Sequence, residues 1–104
     1  MEKIICSAVW YKEIKSVKEG MPFSSFLPKN LDKGIVFCGH RHGQCIYTKC
    51  AVTGLRDAES GDNVQGFLTS LNRFVDRTEG AKIHLKNGGK LKYSETELYS
   101  EDLY

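Results

Sequence analysis

Nothing in this 104-residue chain approaches the ~18 consecutive apolar residues that a membrane span requires. The opening, MEKIICSAVWYKE, holds a short apolar stretch, but polar residues interrupt it and Glu2 precedes it, unlike a secretory leader. The chain therefore reads as cytoplasmic. Charge of one sign is also scarce. The net charge is +2 and no run of about five or six basic residues occurs, so the footprint of a protein that grips polymeric nucleic acid is missing. The glycine-rich signatures of nucleotide-using enzymes are absent as well. No Ser or Cys stands in a nucleophile elbow, and no carboxylate pair is set out for acid–base work. Neither catalysis nor a cofactor is expected.

What is present suits one small domain spanning residues 1–104, since 40% hydrophobic and 27% charged residues are ordinary for a soluble globule. Stability at this size is modest, and a homo-oligomer would add to it. Four cysteines occur, Cys6, Cys38, Cys45 and Cys50. In a cytoplasmic setting they are expected as free thiols. A few well-placed cations still suffice for a small anionic ligand, so that class stays open.

The elements follow from the apolar pattern. Lys3 to Tyr11, rich in β-branched and aromatic residues, reads as a strand. From Lys12 to Lys33 the pattern weakens, and both prolines, Pro22 and Pro28, fall there, which marks a long connection with room for a short edge strand. Gly34 to Gly39 is an apolar run of strand length. The stripe Cys45, Ile46, Lys49, Cys50 and Thr53 predicts a helix over His42 to Thr53, stopped by Gly54. Leu55 to Gln65 reads as a flexible polar loop. GFLTSLNRFV gives two short strands around a turn at Ser70 to Asn72. Asp76, with Glu79 three residues on, resembles a capping box, so a second helix is expected from Arg77 to about Asn87. The tail after Lys90 has the makings of a last short strand. Together these give an α+β fold, a small mostly antiparallel sheet with two helices on one face.

Two segments could carry chemistry. Arg73 and Arg77 bracket the start of the second helix. A cation in the first turn opposes the helix dipole at a cost of roughly 0.3–1 kcal/mol. An anion there would turn that cost into a gain, because free backbone N–H groups and two guanidinium forks would converge on it. The alternative is that Arg77 pairs with Asp76, Glu79, Glu101 or Asp102. The second segment is CGHRHGQC, Cys38 to Cys45. Its Cys and His residues raise a zinc reading, but ligands packed so closely across a strand end and helix start close poorly into a tetrahedron. His40, Arg41 and His42 instead suit a polar rim for an anion or a nucleobase edge. The plainer alternative keeps the cysteines as small core residues and the histidines solvated. A Cys45–His42 nucleophile pair is disfavoured because Cys45 lies on the apolar stripe, and His84 reads as a packed, hydrogen-bonded residue.

GFLTSLNRFVDRTEGAKI, GHRHGQC and LYSEDLY together resemble the Thoeris anti-defence sponges of the first type, over about Gly34 to Tyr104. These phage and prophage proteins bind cyclic ADP-ribose isomers made by bacterial TIR-domain immune proteins, and some also bind cyclic oligonucleotides of the CBASS system. The resemblance implies sequestration of a cyclic nucleotide without cleavage, in the host bacterial cytoplasm, by a homo-oligomer. It also implies phosphate contacts by Arg73 and Arg77, with Asn72 beside them. Ile46 stands where the family stacks an aromatic or apolar residue on the ligand, and Asn63 is the candidate for a further ligand-binding Asn. His40, Arg41 and His42 would line the rim. Described sponges carry two long helices that this chain lacks the length to hold. A cyclic dinucleotide or trinucleotide is therefore the alternative ligand. A protein-binding adaptor with an acidic aromatic tail is the alternative of another class.

Overall fold

The computed structural model describes residues 1–14, 27–56 and 60–103. Strand β1, Ile4–Tyr11, sits inside a four-stranded antiparallel sheet. Its neighbours are β2, Ile35–Gly39, on one side and β3, Asn63–Thr69, on the other, with β4, Phe74–Asp76, beyond β3. Register fixes which residues share a face, because directly opposed residues point the same way. Val9 opposes Phe37 on β2, Ser7 opposes Phe67 on β3, and Phe67 opposes Val75 on β4.

That face carries both helices. Helix α1, His42–Thr53, packs Cys45 and Ile46 against Val9, Tyr11, Ile35 and Phe37. Helix α2, Arg77–Lys86, packs Ala81 and Ile83 with Phe67, Val75 and the tail residue Leu98. The segment before β2 covers part of the opposite face. Leu27 and Pro28 are buried there, and the Trp10 ring lies 6.0 Å from that of Phe74. The Asn30 side chain completes both backbone groups of Phe74, donating to its carbonyl at 2.6 Å and accepting from its N–H at 2.8 Å. One side chain thus does at the outer edge of β4 what another strand would do. The short edge strand expected between Lys12 and Lys33 is not formed by the described part of that connection, and residues 15–26 lie outside the described residues.

Both helices end where their signals stand. Gly54 closes α1 in the left-handed region at φ 73°, its N–H bonded to the Cys50 carbonyl at 2.8 Å. Asp76 caps α2, its carboxylate accepting from Glu79 N–H at 2.8 Å. The expectation for Leu55 to Gln65 needs correction. Asn63, Val64 and Gln65 begin β3, paired with Tyr11, Trp10 and Val9. Before them, Lys49 is fully buried and donates to Ser60 Oγ at 2.7 Å and the Leu55 carbonyl at 3.2 Å, with its ammonium 5.0 Å from the Tyr11 ring centroid. That lysine fastens both ends of the turn; residues 57–59 lie outside the described residues.

The tail also departs from expectation. Among its described residues no strand forms, and a 3₁₀ turn spans Ser100–Asp102. Side chains and helix ends take up its backbone groups instead of a ladder. Leu98 N–H bonds the Arg77 carbonyl at 2.9 Å, and the Asp102 carboxylate accepts from Lys92 N–H at 2.8 Å and Tyr99 N–H at 3.0 Å.

Candidate functional site

Arg77 is the first residue of α2, and its side chain turns toward the tail and β3. Its Nη1 donates to the Leu98 carbonyl at 3.0 Å and its Nη2 to Gln65 Oε1, while the guanidinium carbon stands 4.5 Å from the Tyr99 ring centroid. These partners are all neutral. Among the described residues no carboxylate pairs with Arg77. Asp76 spends its carboxylate on the helix cap and Asp102 on the tail backbone. The side chain is thus held in place, and among the described residues no ion pair cancels its charge. The Tyr99 ring also lines, with Tyr93 and the Glu101 side chain, a hollow of about 380 Å³. The two tyrosines meet edge to face at 6.4 Å, and Tyr93 is two-thirds exposed (66%), so an aromatic face is open to a ligand.

The N-terminal end of α1 approaches the same region. His42 is buried, donates from Nε2 to the Gly66 carbonyl at 2.8 Å, and packs edge-on to Phe67 at 5.1 Å. Burial pulls its pKa below the ordinary value, the Gly66 carbonyl opposing and the nearby Arg77 cation adding to the effect. A neutral core histidine results, rather than the rim residue expected from its position. His40 is exposed, with its carbonyl accepting from Ser7 Oγ at 3.3 Å, and Arg41 is the N-cap of α1, its N–H bonded to Gln44 Oε1 at 2.9 Å. Ile46 packs into the cluster around Val9 and Tyr11, so its side chain serves the core.

Arg73 has a different set of partners. Its Nε and Nη2 grip the two oxygens of the Glu2 carboxylate, each at 2.8 Å, and Glu79 lies 3.9 Å from Nη2. The Thr69 hydroxyl donates to the same carboxylate at 2.6 Å. Bonds from Arg73 first, then Thr69, hold the Glu2 carboxyl down at about 2. The expected convergence of both arginines on one anion is not what the chain builds. Around α2, Arg77 and Glu79 are roughly 200° apart at about 100° per residue, and each arginine has its own surroundings.

Asn72 and Asn63 are both exposed. Asn72 occupies the hairpin turn in the left-handed region at φ 58°, and its carbonyl accepts from Lys29 N–H at 2.8 Å. Asn63 starts β3, two residues from Gln65 on the same face and so about 7 Å from it. It stands nearer to Arg77's partner Gln65 than to the Arg73 end of the strand, which is ~20 Å away. The structure therefore groups Arg77 with Gln65, Tyr99 and the tail, with Asn63 along the strand, and leaves Arg73 with Asn72 at the other end of β3.

Sequence reasoning missed Gln65, Tyr93, Tyr99 and Glu2. The period-two spacing of Asn63, Gln65 and Phe67 was a usable signal for Gln65; nothing local marks Glu2, 71 residues from its partner. The four cysteines are free thiols, with Cys38 exposed and Cys45 buried. Among the described residues no group of three or more His, Cys, Asp or Glu is placed to hold a metal ion, and no helix is long and apolar enough to cross a membrane.

A family model described as phage T4 y16D protein matches residues 3–104. No curated protein and no solved structure matches the chain.

Proposed function

The chain belongs to the phage T4 y16D protein family, and from that premise we propose that it is an anti-defence protein that sequesters a cyclic nucleotide immune signal, a cyclic ADP-ribose isomer, without cleaving it. One observation carries this reading. Arg77 is held against Tyr99 by Leu98 and Gln65 with no ion pair among the described residues, and the same Tyr99 ring lines a hollow with Tyr93 and Glu101. A guanidinium fixed in this way matches a phosphate oxygen pair, and a tyrosine face offers a base a stacking partner. The resemblance of the arginine motif and the LYSEDLY ending to the Thoeris sponges points to the same ligand class.

A sponge needs nanomolar affinity, about −12 kcal/mol. One charge-assisted fork and one stacked base fall short of that alone, so the reading includes a homo-oligomer whose interface adds contacts. The test is to incubate the pure protein with cyclic ADP-ribose isomers and cyclic di- and trinucleotides, denature it by heat, and identify what is released. Intact cyclic ADP-ribose isomer from the native protein, and at least about tenfold less from Arg77→Ala, is the expected result. Recovery of a cyclic oligonucleotide instead would move the proposal to that ligand. A cleaved product, or no depletion of any member of the panel, would overturn sequestration.

A further inference from the structure

The face of the sheet turned away from the helices carries two thiols side by side. Cys38 on β2 opposes Ala8 on β1, and Cys6 stands two residues before Ala8, so both side chains leave the same face. They are diagonal neighbours across one ladder, with Cα atoms ~7–8 Å apart. Cys38 is exposed and Cys6 half-buried. Their sulfurs are close enough to hydrogen-bond, Cys38 S–H donating to Cys6 Sγ. That bond holds the Cys6 thiol down at about 7, with burial opposing, while the same bond and burial keep the Cys38 proton in place well above its ordinary value. Cys45, on the helical side of the sheet, is a different kind of thiol. It donates to the Arg41 and Ser7 carbonyls at 3.4 and 3.6 Å, and burial pushes it up to about 11.

We propose that Cys6 and Cys38 form an oxidation site for peroxides, in which Cys6 is the nucleophile, Cys38 the resolving thiol, and a disulfide between β1 and β2 the product. The Cys6 thiolate attacks one peroxide oxygen, so that an S–O bond forms, the O–O bond breaks, and the leaving hydroxide takes up a proton as water. Cys38 sulfur then attacks the Cys6 sulfenic acid. The S–S bond forms, the S–O bond breaks, and the hydroxyl departs as water with the Cys38 proton. Two electrons pass from the pair to the peroxide. Closure asks the two Cα atoms to approach within ~7 Å, and the backbone allows it. Cys6 lies just past the last pair of the β1–β2 ladder, Ser7 with Gly39. On its other side the register with β3 shifts between Ile4 and Cys6, a bulge that frees one residue from pairing, and β2 is an outer strand of the described sheet. Thiols that served only as small packing residues would be buried as Cys45 is, whereas one member of this pair is open to solvent. The inference depends neither on Arg77 nor on any nucleotide.

The test treats reduced native protein with hydrogen peroxide, blocks the remaining thiols, then unfolds the chain and digests it with trypsin. Each cysteine falls in its own peptide, Cys6 in residues 4–12 and Cys38 in residues 34–41. Mass spectrometry should find those two peptides joined, and both thiols lost at least about tenfold faster than that of Cys45, whose thiolate fraction is far smaller. No joined peptide, or joining no faster than the loss of Cys45, overturns the proposal. Cys38→Ser keeps a hydroxyl to donate to Cys6 and removes the resolving sulfur. Oxidised in the presence of dimedone, it should carry the sulfenic acid adduct on Cys6, and an adduct on Cys45 or Cys50 in its place overturns the proposal. Should that variant fold poorly, the native digest decides by itself.

Discussion

Arg73 and Arg77 are four residues apart and differ in what surrounds them. Their identity as unusual residues is legible in the sequence, because a cation at the start of a helix is costly. Their partners are not. Glu2, Gln65 and Leu98 come from the first residues, the third strand and the tail, and only the folded chain brings them together. The pairing of Glu2 makes a prediction about acid. Its carboxyl is held at about 2 in the folded chain against an ordinary 4.5, by Arg73 and then Thr69. The folded state therefore prefers the ionised form. Its stabilising effect is complete above about 4.5 and is lost as pH falls from there through about 2. Urea unfolding of the native chain between pH 5 and pH 2.5 should lose more stability than that of Glu2→Gln. The difference should be up to about 1 kcal/mol, the upper range for a partly exposed pair.

At the scale of elements, the helices were the most readable parts. Asp76 and Glu79 mark the start of α2, and Gly54 marks the end of α1, because cap residues act through local backbone geometry. Asp76→Ala should cost about 1 kcal/mol in urea unfolding, by leaving the Glu79 N–H without its acceptor. The misreadings were of segments whose structure is imposed from outside. Asn63 to Gln65 look like loop residues, but β1 offers them an open edge and they pair with it. The tail alternates enough to suggest a strand, yet Asp102 and Arg77 engage its backbone first. His42 was assigned to the rim from its place at a helix start, and the Gly66 carbonyl with the Phe67 ring draws it inward.

For the whole molecule, the α+β class and the single helical face were legible, since they follow from the number and order of amphipathic elements. The route of the tail was not. Leu98 is fully buried in the cluster of Phe67, Val75, Ala81 and Ile83, and its carbonyl and N–H both engage Arg77. Core packing and the proposed nucleotide site therefore depend on one residue. Leu98→Ala should lower stability by about 2–5 kcal/mol. It should also reduce cyclic nucleotide retention under conditions where the variant is still folded, as judged by circular dichroism. Retention equal to that of the native chain would separate the tail from the site.

The burial of Lys49 beneath the turn that joins α1 to β3 has a practical consequence. Reagents that acylate amines should modify the chain's exposed lysines within minutes yet spare this one, and trypsin should leave the bond after it uncut. Its labelling, read by mass spectrometry, then becomes an internal clock for how often the sheet and the first helix part company.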